Sequence, residues 1–267
     1  MPLKKPRDKI TFEVHLAEHC NLNCAGCAAF SSIAEPTFID IEEFKRDFKR
    51  LGELFNHECS NIRLEGGEPL LNPNIIEFMK IARENFTQGE IFIFTNGILL
   101  PQKGEDFWQA CRDNNINIVI SAYPIKIDTD KISAMADKFG VKAQWAWGEA
   151  ESTHDTFAIC KMDLSGKQDI NKNYATCPRG NDCIMLDHGR LYTCTFAPTV
   201  KHFNKKFNTN IEITEHDSVD IYKEDNKDVI LKKLSRPIPA CRYCWPPDKR
   251  PTFKWHVTKG EISEWGC

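Results

Sequence analysis

Residues 19–27 read His-Cys-Asn-Leu-Asn-Cys-Ala-Gly-Cys, so Cys20, Cys24 and Cys27 fall within one short loop. The next cysteine, Cys59, lies beyond a predicted helix. A cubane iron–sulfur cluster normally takes one thiolate at each of its four irons. A loop that supplies three leaves one iron open to an outside ligand. The stretch before the loop, Thr11 to Leu16, alternates Phe12, Val14 and Leu16 with Glu13 and His15. That period reads as a strand, which places the thiols at a strand's carboxyl end.

Strand and helix signals continue to alternate up to about Trp147. Asp40 caps a helix with Glu43 three residues on, and Ile41, Phe44, Phe48, Leu51 and Phe55 mark its buried stripe. Asn61 to Glu65 is a second strand, and Asn72-Pro73 reads as the start of a helix running to about Phe86. Strands at Ile91–Phe94, Ile116–Ser121 and Val141–Trp147 alternate with helices near Glu105–Asp113 and Asp130–Phe139, the latter closed by Gly140. Repeated strand–helix units imply parallel strands with right-handed crossovers. They are too few for a closed eight-stranded barrel. The expected fold is α/β: a partial (β/α) barrel of five to six parallel strands, with a small β-hairpin and helix subdomain after it.

The totals set bounds. With 41% apolar and 27% charged residues, the composition is that of a globular domain. A net charge of −3 leaves no electrostatic footprint for nucleic acid. No apolar run approaches the span of a bilayer, and the basic start Met1–Arg7 lacks the apolar stretch of a secretory signal. Twelve cysteines in tight groups argue for metal centres in a reducing cytoplasm rather than a disulfide scaffold.

The second strand ends in Gly66-Gly67-Glu68-Pro69, about forty residues after the cysteine loop. Two glycines let backbone approach a ligand closely, and Glu68 offers an acceptor for an ammonium. Alone, such a tetrapeptide is a turn. Thr95-Asn96-Gly97 and Ser121 close the third and fourth strands; they are either binding groups or simple turn residues. Glu13 with His15, and Arg63 with Glu65, share the polar faces of the first two strands. They face either a lumen or a buried ion network.

The CxxxCxxC spacing after a strand, with GGEP at the end of the next, resembles the radical S-adenosylmethionine (SAM) superfamily. The resemblance implies that Cys20, Cys24 and Cys27 hold a [4Fe-4S] cluster whose open iron chelates SAM. It implies that Gly66, Gly67, Glu68 and Pro69 serve the methionine amino group. Thr95, Asn96 and Ser121 become candidates for the SAM carboxylate and ribose, and Gly26 corresponds to a position whose backbone meets adenine. An electron from the cluster then splits the sulfonium, and a 5′-deoxyadenosyl radical abstracts a substrate hydrogen.

Further on, Cys177 precedes Gly189 by an eleven-residue spacer, Cys194 follows Gly189 after four, and Cys241-Arg-Tyr-Cys244 comes later. This resembles the twitch subdomain of some radical SAM enzymes, a shorter relative of the SPASM domain. It implies one auxiliary [4Fe-4S] cluster on Cys177, Cys194, Cys241 and Cys244. A four-cysteine zinc site is the rival reading. Residues 183–194 look like a hairpin turning at Asp187-His188-Gly189, and roughly Asp220 to Leu234 reads as helical. Cys183 is either a hydrogen-atom donor, as in some radical SAM epimerases, or a packed thiol; the same choice applies to Cys160. Cys59 and Cys111 read as core, and Cys267 as an exposed thiol.

The expected organisation is a radical SAM partial barrel over residues 1–150, a variable connecting segment over 151–176 and an auxiliary-cluster subdomain over 177–267. The resemblance implies a small polar substrate, sugar or cyclitol-like, that is oxidised or epimerised. It also implies an electron donor such as flavodoxin or ferredoxin, with no nucleic-acid or membrane partner. A peptide maturase is the alternative; in the family such enzymes carry a leader-binding or full SPASM domain, and only about ten residues precede the first strand here. A non-enzymatic iron–sulfur or zinc protein is the third reading.

Overall fold

The computed structural model describes residues 10–146, 155–158, 161–180 and 184–266. Its spine is β1 (Thr11–Ala17), buried along its whole length. On one side β1 pairs in parallel with β2 (Asn61–Gly66), with Glu13 opposite Arg63 and His15 opposite Glu65. Beyond β2 come β3 (Glu90–Thr95), β4 (Ile116–Ile120) and β5 (Ala143–Trp145), each parallel to the last. On the other side β1 pairs in parallel with β7 (Ile184–Asp187), the sixth parallel strand. The antiparallel strands β8 (Arg190–Tyr192) and β9 (Ser218–Asp220) then extend the same sheet. The expected hairpin therefore forms, and its first strand uses the free edge of β1. A separate two-stranded sheet joins β6 (Thr156–Ala158) to β10 (Thr252–Lys254).

Helices α1 (Ile41–Leu54), α2 (Ile75–Asn85), α3 (Glu105–Asp113) and α4 (Thr129–Phe139) follow the first four strands. Their apolar stripes bury against Phe12, Val14, Leu16, Ile62, Leu64, Ile91 and Ile93 in one core. Phe44 stacks on Phe48 at 4.0 Å and meets Phe78 edge to face at 4.8 Å. The Asp40 carboxylate accepts from the Glu43 N–H at 2.9 Å, the expected cap of α1. Gly140 ends α4 in the left-handed region at φ 65°, where a side chain would be strained.

The structure corrects three sequence expectations and adds one helix that the sequence left unread. Helix α2 begins at Ile75, because Asn72 is buried and its Nδ2 donates to the Leu16 carbonyl at 2.8 Å, pinning the end of β1. Helix α5 (Ile170–Thr176) stands in a stretch read as irregular; Asp169 caps it by accepting from the Lys172 N–H. Helix α6 (Phe196–Phe207) went unread because Pro198 interrupts its stripe. Proline is tolerated there, since the first turn has no intrahelical acceptor for its N–H. The helix expected from Asp220 is only α7 (Lys227–Leu234), capped by Asn226. Arg50 fastens the preceding turn by donating to the Ile221 and Glu224 carbonyls.

Among the described residues no helix is long and apolar enough to cross a membrane. Phe48 is fully buried between sheet and helices. Phe48→Ala should therefore lower stability by about 3–5 kcal/mol, read as a lower urea midpoint with an unchanged m-value; a loss under 1 kcal/mol would contradict this packing.

Candidate functional site

The helices cover one face of the sheet, and the opposite face opens on a cavity of about 590 Å³. Its wall carries the polar residues of β1 and β2, Glu13, His15, Arg63 and Glu65. The lumen alternative is thus the correct one, with an ion pair inside it: Arg63 Nη1 lies 3.0 Å from Glu13 Oε1. The Arg63 guanidinium also sits 5.0 Å over the Phe94 ring. Burial and the neighbouring Glu13 charge raise the Glu65 carboxyl well above its ordinary range, with Arg63 and Arg179 partly offsetting them.

The mouth of the cavity is built at the strands' carboxyl ends, where the β-ladder gives way to loops. Cys20, Cys24, Cys27 and Gly26 line it, with Gly66 and Gly67, Thr95 and Asn96, and Ser121. Eight positions expected from three separate motifs, together with Ser121, thus converge. The glycines have a local cause. A Cβ on Gly67 would stand 2.0 Å from the His19 carbonyl oxygen, and one on Gly66 2.3 Å from that of Ala17. The end of β2 lies directly against the root of the cysteine loop, and Gly67 and Glu68 donate their N–H groups to Ala17 and His19.

Glu68 and Pro69 lie behind this wall, buried and away from the cavity surface. The Glu68 carboxylate accepts from the Thr95 hydroxyl at 2.7 Å, the Asn96 N–H at 2.9 Å and the Leu70 N–H at 3.1 Å. Its side chain fastens GGEP to the end of β3, so the groups that face the cavity here are those of Gly66 and Gly67. Asn96 passes the linkage on, donating from Nδ2 to Asn21 Oδ1 at 2.7 Å and to Cys20 Sγ at 3.6 Å. His19 packs edge to face on Phe38 at 5.1 Å.

Burial raises the Cys20 thiol to about 12 and the Cys24 thiol to about 11, with repulsion among the three sulfurs adding to it. Held up by burial, the Cys20 and Cys24 thiols ionise only when a cation compensates them. A metal cluster supplies that charge and displaces the protons. The donor set fits an iron–sulfur cluster.

Cys194 also reaches the cavity wall. Burial raises it to about 12, with Cys241 and Cys177 contributing repulsion, so three of the four carboxyl-terminal thiols are neighbours. Asn173 bridges the Cys241 and Cys244 carbonyls, and the Gly180 N–H donates to Cys177 Sγ at 3.2 Å. Among the described residues no group of three His, Cys, Asp or Glu side chains is gathered as a single metal ion would require; a cubane instead takes its thiolates at separate irons. Cys111 is buried and Cys59 half-buried, both raised to about 12 by burial. Cys183, Cys160 and Cys267, together with Trp147, lie outside the described residues.

The sequence reading missed several site residues. Arg179 and Thr195 line the cavity, and Tyr123 stands beside the cysteine loop with its hydroxyl bonded to Cys24. Trp255 and Trp265 reach that loop from the other end of the chain, at Cys24 Sγ and the Cys27 carbonyl, each at 3.0 Å. A tail rich in Trp was the one available signal, and it carries no pattern of its own.

A partial barrel with a three-thiol loop at the carboxyl end of its first strand defines a class of cluster-binding α/β proteins. Residues 14–136 match the Radical SAM superfamily and form a radical SAM domain. It is 29% identical over 122 residues to a GTP 3′,8-cyclase of Chlorobaculum tepidum, covering 45% of this chain and 34% of the relative. With the GTP 3′,8-cyclase of Geobacter sulfurreducens it shares 29% over 178 residues, covering 66% and 49%. The chain thus spans half or less of these relatives. Its fold is similar to that of BtrN, solved in complex with AdoMet and 2-DOIA, with TM-score 0.55 and 19% identity over 89% of this chain and 93% of that one. The match of residues 14–136 implies a [4Fe-4S] cluster and SAM for this domain.

The buried Glu68 gives a pH test. Burial raises its carboxyl from 4.5 to about 7, against the opposing hydrogen bonds from Asn96, Thr95 and Leu70. Between those values the folded chain keeps a proton that the unfolded chain has released, so stability falls as pH rises through the window. Glu68→Gln lacks that titration. The stability of wild type relative to Glu68→Gln should fall between pH 5 and pH 7 in urea unfolding; a pH-independent difference would contradict the assignment.

Proposed function

We propose that the chain is a radical SAM enzyme that abstracts a carbon-bound hydrogen from a small polar substrate, sugar or cyclitol-like, and leads it to oxidation or epimerisation. One observation carries the reading. The three thiols of the cysteine loop open on the same cavity as the polar faces of β1 and β2. A cluster on Cys20, Cys24 and Cys27, with SAM on its open iron, supplies a reductively formed 5′-deoxyadenosyl radical when bound. Gly66 and Gly67 let the methionine end approach the loop, while Thr95, Asn96 and Ser121 offer polar groups for its carboxylate and ribose, and Gly26 a backbone edge for adenine.

The rest of the wall suits the substrate. Glu13, Arg63, Glu65 and Arg179 alternate acceptors with donors, as vicinal hydroxyls require. Phe94 adds an apolar face. The GTP 3′,8-cyclases overlap this chain over less than half of their own length, so they support the radical chemistry without fixing the substrate. The likeness to BtrN supports the fold.

In the oxidative branch the carbinol carbon would lose its hydrogen atom to the deoxyadenosyl group; the resulting radical would then lose its hydroxyl proton and one electron to become a carbonyl. An auxiliary cluster on Cys177, Cys194, Cys241 and Cys244 is the proposed acceptor of that electron, and the approach of Cys194 to the cavity supports it. In the epimerising branch Cys183 returns a hydrogen atom instead. A flavodoxin or ferredoxin supplies the initial electron.

Replacing Cys20, Cys24 and Cys27 with Ala should abolish 5′-deoxyadenosine release from SAM and dithionite; surviving release would refute the site. Reconstituted protein should carry roughly eight irons per chain if both clusters form, against four and one zinc for the rival centre. With a substrate in hand, Cys183→Ala should block deuterium uptake from solvent in an epimerase, and normal product from that variant would exclude the thiol as donor.

A further inference from the structure

The end of the chain lies across the cysteine loop. The Ala25 N–H donates to the His256 carbonyl at 3.0 Å, the Thr258 N–H to the Asn23 carbonyl at 2.8 Å, and Trp265 Nε1 to the Cys27 carbonyl at 3.0 Å. A Cβ on Gly26 would come within 2.8 Å of the Glu264 carbonyl oxygen. These contacts seat the segment 253–265 on the loop backbone. Trp255 differs from them. Its indole N–H donates to a side-chain sulfur, Cys24 Sγ, at 3.0 Å, across 231 residues of sequence.

The indole is held in place. The pairing of β10 with β6 delivers it, and the Trp255 backbone N–H donates to the Asp155 carbonyl at 2.6 Å. Its ring lies 6.3 Å from that of Tyr123, whose hydroxyl bonds to the same sulfur. Tryptophan carries a single donor and no acceptor, and here that donor is spent on a residue of the cysteine loop.

We infer that Trp255 is a positioning residue that raises the reduction potential of the N-terminal cluster, through the hydrogen bond from its indole N–H to Cys24 Sγ. The inference rests on the proposed reading that Cys24 is a cluster ligand. Reduction adds negative charge that is shared with the ligand sulfurs. A fixed N–H dipole pointing at one of them stabilises the reduced form more than the oxidised one, and hydrogen bonds to sulfur are a recognised control on cluster potential. The far end of the chain thereby sets how readily the centre near its start accepts an electron. Trp265 grips the same loop through the Cys27 carbonyl and so shares the fastening.

The test uses full-length protein, anaerobically reconstituted, as wild type, Trp255→Phe and Trp265→Phe. Iron is counted, and the midpoint potential is followed through the EPR signal that a Cys20→Ala variant lacks, without SAM or substrate. Trp255→Phe keeps the ring and loses the donor. At a fixed ambient potential its reduced-to-oxidised ratio should fall about tenfold, a shift of about 59 mV for one electron. Trp265→Phe should keep the wild-type midpoint. Full iron with equal midpoints in wild type and Trp255→Phe overturns the inference, as do equal shifts in both variants. If Trp255→Phe loses its iron, Trp255→His decides, since it keeps a ring N–H: recovered iron supports the sulfur bond, and no recovery overturns it. Failure of the wild type to show any signal dependent on Cys20 would instead overturn the proposed function.

Discussion

The site depends on a backbone approach that only glycine permits. The end of β2 presses against the residues leaving β1, so close that a single methyl group at Gly66 or Gly67 would collide with the Ala17 or His19 carbonyl. Two backbone hydrogen bonds, from Gly67 to Ala17 and from Glu68 to His19, carry the β1–β2 ladder on into the cysteine loop. Glu68 and Asn96 then extend the fastening to β3 and back to Cys20. The cysteine loop is thus anchored to three consecutive strands, and the carboxyl-terminal segment closes it from the other side. A loop fixed on both sides holds its thiols at a set separation before any metal arrives, which lowers the ordering cost of assembly.

Burial gives the same region its chemical character. Thiols raised to about 11 or 12 stay protonated until a cation compensates them. The carboxyls of Glu65 and Glu68 are pushed upward as well. Of these two only Glu65 lines the cavity, beside the Glu13–Arg63 ion pair and Arg179.

Sequence pattern carried the barrel well, because each parallel strand with its helix is a local unit. The period of Phe12, Val14 and Leu16 reported the buried face, and the clustering of motifs at strand ends reported the cavity. What it missed is non-local or locally disguised. Asn72 looked like a cap until the Leu16 carbonyl claimed its side chain. Pro198 concealed α6 by sitting in the first turn, where it does no harm. That β7 completes the sheet beside β1 depends on which edge is free, a property of the assembled fold. The bonds from Glu68 to the end of β3 also span twenty-seven residues or more and leave no local signal. For Trp255 the sequence offered only a Trp-rich tail, since its partner lies 231 residues away.

The central claim is that a cluster on Cys20, Cys24 and Cys27 offers SAM an open iron inside this cavity. The most direct measurement is the EPR spectrum of the anaerobically reconstituted, dithionite-reduced protein before and after SAM is added. The account predicts that SAM changes the g values of the signal assigned to those cysteines, because its amine and carboxylate enter the coordination shell of one iron. A spectrum that SAM leaves unaltered at saturating concentration would contradict it.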